Sequence, residues 1–165
     1  MSDTTDAATP AATSLKERLQ ADLTTSMRAR DEVRTAALRM ALTAVRAEEV
    51  VGDVARQLSD DEVVTVLGRE AKKRREAAAA FAGAGRAEQA DRERQELAVL
   101  EAYLPAQLSD EDLTAVVAEE VAAVAAAGAT GMAAMGRVMK AVQPRVAGKA
   151  EGGRVAAEVR RQLSV

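Results

Sequence analysis

Apolar residues recur every three or four positions along most of this chain. One stripe runs through residues 15–27 and a second through residues 38–45, with Leu15, Leu19, Leu23 and Met27 in the first and Leu38, Leu42 and Val45 in the second. That spacing puts the apolar side chains on one face of an α-helix, whereas a half-buried strand would show strict alternation. The pattern therefore predicts helices that bury one face against each other.

Capping residues mark several helix starts. Ser14 and Ser59 are each followed by a glutamate three residues later, and Ser109 is followed in the same way by Asp112. A serine at this position accepts a hydrogen bond from a backbone N–H of the first turn, which would otherwise lack a partner. Acidic residues in a first turn also complement the helix dipole, so we interpret the acidic runs at residues 60–62 and 110–112 as helix starts and not as metal sites.

The predicted fold is all-α, with about seven helices and no strand. We expect two small helical units, of which the C-terminal one has three helices; the predicted division is a disordered tail over residues 1–13, an N-terminal helical domain over 14–90 and a C-terminal helical domain over 91–165. A long helix over residues 91–104 is expected to join the two units. A short helix that begins near Thr130 is predicted to turn Met132, Met135, Met139 and Val142 toward the core and to be broken by Pro144.

Composition supports a helical fold and excludes several kinds of chemistry. Of the 165 residues, 48% are hydrophobic, but 39 of them are alanine, which favours helix and buries little area. The chain has no Cys and no His, which excludes disulfides, cysteine nucleophiles, Ser–His–Asp triads and zinc sites built on those residues. We expect no metal, no cofactor, no membrane segment and no targeting peptide, and therefore a cytoplasmic protein.

Charge is distributed unevenly. The net charge is −3, yet residues 129–165 carry seven Lys and Arg against two Asp and Glu. Phosphate contacts require converging positive charge and no special spacing. We take six of these residues as candidate RNA contacts, with ordinary solubilising charge as an equal alternative: Arg137, Lys140, Arg145, Lys149, Arg154 and Arg161.

A second basic run lies in the predicted helix after Ser59. Its members are Arg69, Lys72, Lys73 and Arg75. A solvated helix face is the favoured interpretation, and phosphate contact is the alternative. Arg74 falls within the apolar seam of the same helix, where it either extends past alanine neighbours toward water or pairs with a buried carboxylate.

Eight short segments occur in a family-specific order over residues 14–165. They are Leu38-Arg39-Met40, Lys73-Arg74-Arg75-Glu76, Phe81, Ala84-Gly85-Arg86, Glu96-Leu97, Tyr103-Leu104-Pro105-Ala106-Gln107-Leu108-Ser109, Met135-Gly136-Arg137-Val138-Met139 and Gly148-Lys149-Ala150. Together they resemble the YqeY family, also called the GatB/YqeY family. Glu151 departs mildly from the pattern, in which Asp is expected after Gly-Lys-Ala.

The resemblance implies an all-α protein of two parts. Its C-terminal part would be similar to the tail of the B subunit of the glutamyl/aspartyl-tRNA amidotransferase, which helps to hold tRNA, and to a module fused to some glutaminyl-tRNA synthetases. The family is commonly labelled as carbon–nitrogen ligases that use glutamine as the amide donor. An amidotransferase or an aminoacyl-tRNA synthetase is therefore an implied partner.

The residues themselves do not support catalysis by this chain alone. Glutamine-dependent amide transfer needs an activated nucleophile and an oxyanion site, and ATP use commonly relies on a phosphate loop. The chain has neither a cysteine nor such a loop, and three of its serines are predicted helix caps. Our first hypothesis is an accessory protein that binds tRNA or another structured RNA. The alternatives are a helper of an amidotransferase whose partner supplies the chemistry, and a protein–protein adaptor.

Overall fold

The computed structural model describes residues 13–164, and over that range the chain is helical without any strand. The seven α-helices are α1 (Leu15–Arg28), α2 (Glu32–Glu49), α3 (Asp60–Gly83), α4 (Ala87–Glu101), α5 (Asp110–Ala126), α6 (Met135–Val146) and α7 (Gly152–Leu163). A short 3₁₀ turn, Gly131–Ala134, leads into α6. The all-α prediction is confirmed. The predicted disordered tail lies, apart from Thr13, outside the described residues.

The predicted caps form as expected. Ser14 and Ser59 each complete a capping box, in which the serine side chain accepts from the N–H three residues on and the glutamate there accepts from the serine N–H. Ser109 accepts from the N–H of Asp112 at 3.0 Å. These local bonds satisfy the first-turn donors and fix where α1, α3 and α5 begin.

The first core is built by α1–α4. Its buried members include the predicted stripe of α2, residues from the other three helices and Tyr103 just after α4: Leu19, Leu38, Leu42, Val45, Val63, Leu67, Leu100 and Tyr103. Ala37, Ala41 and Ala71 are also buried within it. Small side chains let neighbouring helix backbones approach closely, so a core with few large residues can still close.

The second core is built by α5–α7, and here the predicted methionine stripe is wrong in part. The buried face of α6 consists of Val138, Val142 and Val146, continuing from Ala134, whereas Met132 is 50% exposed. Met135 and Met139 only pack against the edge of this core. The helix begins as a 3₁₀ turn, and the valines at spacing four form the stripe that meets α5 and α7.

Pro144 lies inside α6 and does not break it, contrary to prediction. The helix continues two residues further, to Val146. Proline removes one backbone donor and crowds the carbonyl four residues earlier. Pro144 sits on the exposed side in the last turn, so the carbonyl that loses its partner can face water and the helix ends soon afterwards.

The two cores meet through the segment between α4 and α5 and the loop between α6 and α7. The N–H of Leu108 donates to the carbonyl of Lys149 at 2.8 Å, and the Gln107 side chain donates to the carbonyl of Gly148 at 2.8 Å. Gly148 has φ of +70°, and a Cβ built on it would lie 2.4 Å from Cγ1 of Val64 on α3. Glycine at residue 148 therefore permits the close approach of this loop to α3.

The helix α4 packs with the first core. Its residue Leu100 lies in the same cluster as the buried leucines of α2 and α3. The buried residues of the second cluster all follow the α4–α5 segment, and Leu108 of that segment packs against them. The connection between the two cores therefore follows α4. The division of the chain into folding domains stays a prediction.

The structure distinguishes the two interpretations of Arg74, extension toward water and pairing with a buried carboxylate. Its guanidinium pairs with Glu93 at 2.9 Å and with Glu96 at 3.5 Å, both on α4. The Glu96 side chain is only 7% exposed and also contacts Arg92 at 3.3 Å. Arg74 therefore pairs with a buried carboxylate and ties α3 to α4.

Over residues 13–164, no single helix has both the length and the apolarity to cross a membrane. The helix α5 and the stretch Gly131–Val146 reach those limits only when taken together, and they are bent by 100° relative to each other.

Candidate nucleic-acid interface

Two of the six candidate RNA contacts share the exposed side of α6. Val138, Val142 and Val146 define the buried face, and the helical repeat places Lys140 opposite it with Arg137 beside it. Both cations are exposed. Neither makes an ion pair with any residue in the range 13–164. Their charge is therefore available to an external anion.

Lys149 is a third exposed cation without an ion pair among those residues. Its backbone is held at both ends, because its N–H donates to the carbonyl of Val146 at 2.8 Å and its carbonyl accepts from Leu108. The amine thus extends from a fixed point of the loop after α6. Residues 121–150, which include all three cations, contain no Asp or Glu, and we call this stretch the acid-free segment.

The other three candidates are engaged within the second bundle. Arg145 contacts Glu119 and Glu120 of α5, each at 2.7 Å, and these two carboxylates raise the pKa of its guanidinium. Arg154 contacts Asp110 at 2.6 Å and the carbonyl of Leu108 at 3.3 Å. These contacts hold α6 and α7 against α5, so both arginines contribute to the structure of the unbound protein.

Arg161 pairs with Glu158 one turn earlier on α7 at 2.5 Å. The pairing lowers the pKa of Glu158 to about 2 and raises the pKa of Arg161. The Arg161 side chain is 61% exposed and that of Glu158 only 14%, and their pairing reduces the positive charge that an anion would meet.

The second basic run is also paired. Arg69 contacts Glu48 at 2.8 Å and Lys73 contacts Glu70 at 2.6 Å. These cations lie on the exposed face of α3, and their partners come from α2 and from α3 itself.

Lys72 and Arg75 differ from their neighbours because both contact Glu151, which stands just before α7. The Lys72 amine lies 3.1 Å and the Arg75 guanidinium 3.8 Å from the Glu151 carboxylate. These contacts connect α3 to the second bundle. Glu151 raises the pKa of Lys72, because a nearby carboxylate stabilises the charged amine.

A cleft of about 350 Å³ lies at this junction. The helix α3 forms one wall, α6 and the start of α7 form the other, and the loop at Gly148 lies between them. The residues that matter for charge are Arg69, Lys72, Arg75 and Glu151, with Gln107 and Gln143 as neutral polar groups. The cleft thus combines apolar walls with cations that Glu151 partly neutralises.

The serines considered for catalysis occupy structural positions. Ser14, Ser59 and Ser109 cap helices. Ser26 is 2% exposed, and its hydroxyl lies 2.9 Å from both the carbonyl of Leu23 and the hydroxyl of Thr35. Ser2 lies outside the described residues.

Sequence reasoning missed the acidic partners of the candidate cations. Glu119 and Glu120 lie 25 or 26 residues before Arg145, and Glu151 lies 79 residues after Lys72. Only local pairs such as Arg161 with Glu158, three residues apart, carry a signal in the sequence. Pairs between helices depend on packing, which single-residue patterns do not encode.

The fold and this surface define an all-α protein of two helical cores. The second core, α5–α7, presents cations that have no ion-pair partner within residues 13–164. The chain matches the family model described as Yqey-like protein over residues 16–163. It therefore belongs to the Yqey-like protein family, as the ordered segments indicated. A comparison with curated proteins gave no match to this chain.

Proposed function

We propose that this chain is an accessory protein that binds tRNA or another structured RNA through Arg137, Lys140 and Lys149. The observation that carries the proposal is the acid-free segment, in which these three exposed cations have no ion-pair partner within residues 13–164. An anion that meets them displaces water and salt ions but no protein carboxylate.

The kind of RNA follows from what the surface lacks. The chain has one Tyr, one Phe and no Trp, and Tyr103 is buried, so stacking of bases on aromatic side chains is minimal. Recognition would rest on the phosphate backbone and on the shape of a folded RNA. A partner amidotransferase or synthetase in the cytoplasm would supply any chemistry, since the proposal assigns binding alone to this chain.

The test is tRNA binding by the full chain at two salt concentrations. Three phosphate contacts at about −0.7 to −0.9 each in the slope of log K against log salt weaken binding about 20- to 40-fold between 50 and 200 mM salt. The double variant Arg137→Glu/Lys140→Glu is expected to abolish binding and to keep its helicity, because both side chains point away from the core.

A matched control reverses the same charge elsewhere. Arg28 and Arg46 are exposed and make no ion pair in the described residues, so Arg28→Glu/Arg46→Glu changes the net charge equally on the first bundle. Binding is expected to fall only slightly in this control. Equal loss in both double variants, or no binding by the wild type at low salt, would contradict the proposal.

A further inference from the structure

The contacts of Glu151 point to a second anion site that the protein itself occupies. Glu151 is the residue before α7, yet its side chain makes no capping hydrogen bond to that helix. Its carboxylate instead reaches across the cleft to Lys72 and Arg75 of α3. A carboxylate that does not cap its own helix and lies between two cations of another helix holds the place of an external anion.

The surroundings of the two cations support this assignment. Lys72 has one other acidic neighbour, Glu76, at 3.8 Å, and Arg75 has Glu101 at 3.0 Å, so each cation keeps one carboxylate neighbour when Glu151 is displaced. The side chains of Lys72, Arg75 and Glu151 remain 47%, 45% and 35% exposed. A ligand can therefore approach from solvent without first opening a core.

The cleft also adjoins the proposed RNA surface. The helix α6 forms one of its walls, through Met139 and Gln143, while Lys140 next to Met139 belongs to the unpaired cations. Lys140 and the cleft therefore lie on neighbouring sides of α6. The volume of about 350 Å³ leaves room beside Glu151 for a phosphodiester group and part of its sugar.

We infer that the α3–α7 cleft is a phosphodiester site whose cations, Lys72 and Arg75, are shared between Glu151 and bound RNA, so that Glu151 is an internal competitor which limits affinity. The inference rests on the proposed function for the identity of the ligand. Phosphate and carboxylate both accept hydrogen bonds from lysine and arginine, and arginine can bind either anion in a bidentate manner. Binding at the cleft exchanges one anion for the other without any change of fold.

The first experiment compares Glu151→Gln with Glu76→Gln in the full chain. Both variants remove one negative charge beside Lys72, but only Glu151 also contacts Arg75 and stands between the two walls. Glu151→Gln is expected to tighten tRNA binding about three- to tenfold. The gain is modest because a half-exposed ion pair is weak and therefore competes only weakly with a bound phosphate. Glu76→Gln is expected to tighten it less than twofold. Adding Lys72→Gln/Arg75→Gln to Glu151→Gln is expected to cancel the gain.

Tripolyphosphate serves as a second probe that needs no RNA fold. Glu151→Gln is expected to bind it more tightly than the wild type does, in a manner that Arg137→Glu/Lys140→Glu leaves in place. If neither form binds tRNA while Glu151→Gln binds tripolyphosphate more tightly, the cleft site stands and the proposed function falls. If the wild type binds tRNA but Glu151→Gln and Glu76→Gln have equal effects, the cleft inference is overturned and the proposed function stands. Absence of any binding of both probes overturns both.

Discussion

Replacing Gly148 by alanine tests the contact that sets the two cores against each other. The residue has φ of +70°, and a Cβ there would lie 2.4 Å from Cγ1 of Val64 and 3.4 Å from the ring of Pro105. A non-glycine residue in this region costs about 1–2 kcal/mol. Forcing a methyl group into a packed contact adds about 1–3 kcal/mol, because Val64 belongs to a helix and cannot move away freely.

The size of the steric part can be isolated by a matched glycine. Gly131 lies in the same bundle with φ of +60°, and a Cβ there would have no atom within 4 Å. Gly131→Ala should therefore lose only the backbone contribution, about 1–2 kcal/mol. Gly148→Ala should lose about 2–5 kcal/mol in total, and the double variant Val64→Ala/Gly148→Ala should recover part of the difference.

Two measurements check this expectation. Urea denaturation followed by far-UV circular dichroism gives the free energy of unfolding of each variant. Hydrogen exchange at the N–H of Leu108, which donates to the carbonyl of Lys149, reports the local junction. If Gly148→Ala unfolds no more easily than Gly131→Ala and leaves the Leu108 amide protected, the close approach of this loop to α3 is refuted.

Three further predictions concern charge and hydrogen bonding. Replacing Arg74 by Met should lower the free energy of unfolding by about 1–3 kcal/mol, measured in urea, because the buried carboxylate of Glu96 loses a cation. Tyr103→Phe should lower the free energy of unfolding by about 1 kcal/mol, since the tyrosine hydroxyl donates to Asp22. An unchanged midpoint of urea denaturation would argue against that hydrogen bond. Folding lowers the pKa of Glu158 from 4.5 to about 2, so its ion pair contributes stability above about pH 4.5 and loses it as the pH falls toward 2; Glu158→Gln should flatten the dependence of Tm on pH in that window, and a parallel profile would contradict it.

The helices and their starts could be predicted because they depend on local chemistry. Ser14, Ser59 and Ser109 act within one turn, and a turn at Arg30 with φ of 57° separates α1 from α2 where the stripe breaks. The prediction that Pro144 breaks α6 is wrong, because the effect of a proline depends on its position in the helix and on whether it faces the solvent. A proline in an exposed last turn costs less than one in the middle of a helix.

The candidate site could be predicted only as a set of cations. The sequence has overlapping stripes in the segment before residue 147, and only packing selected the valines of α6 over the methionines. Which arginines remain unpaired depends on α5, since Glu119 and Glu120 reach Arg145 only after the bundle forms. Arg137 and Lys140 are distinguished from Arg145 by the tertiary structure and not by their spacing.

Tyr103 also gives the protein an optical signal of its own. It is the chain's only tyrosine, and the chain has no tryptophan. Tyr103 lies in the segment between α4 and α5 and is 7% exposed. Its ring lies 5.1 Å from the guanidinium of Arg18, and its hydroxyl contacts Asp22 of α1. Tyrosine emission excited in the near ultraviolet therefore arises from a single defined place. Loosening of α1 from the end of α4 can be followed by fluorescence in the unaltered chain, without a label or an introduced residue.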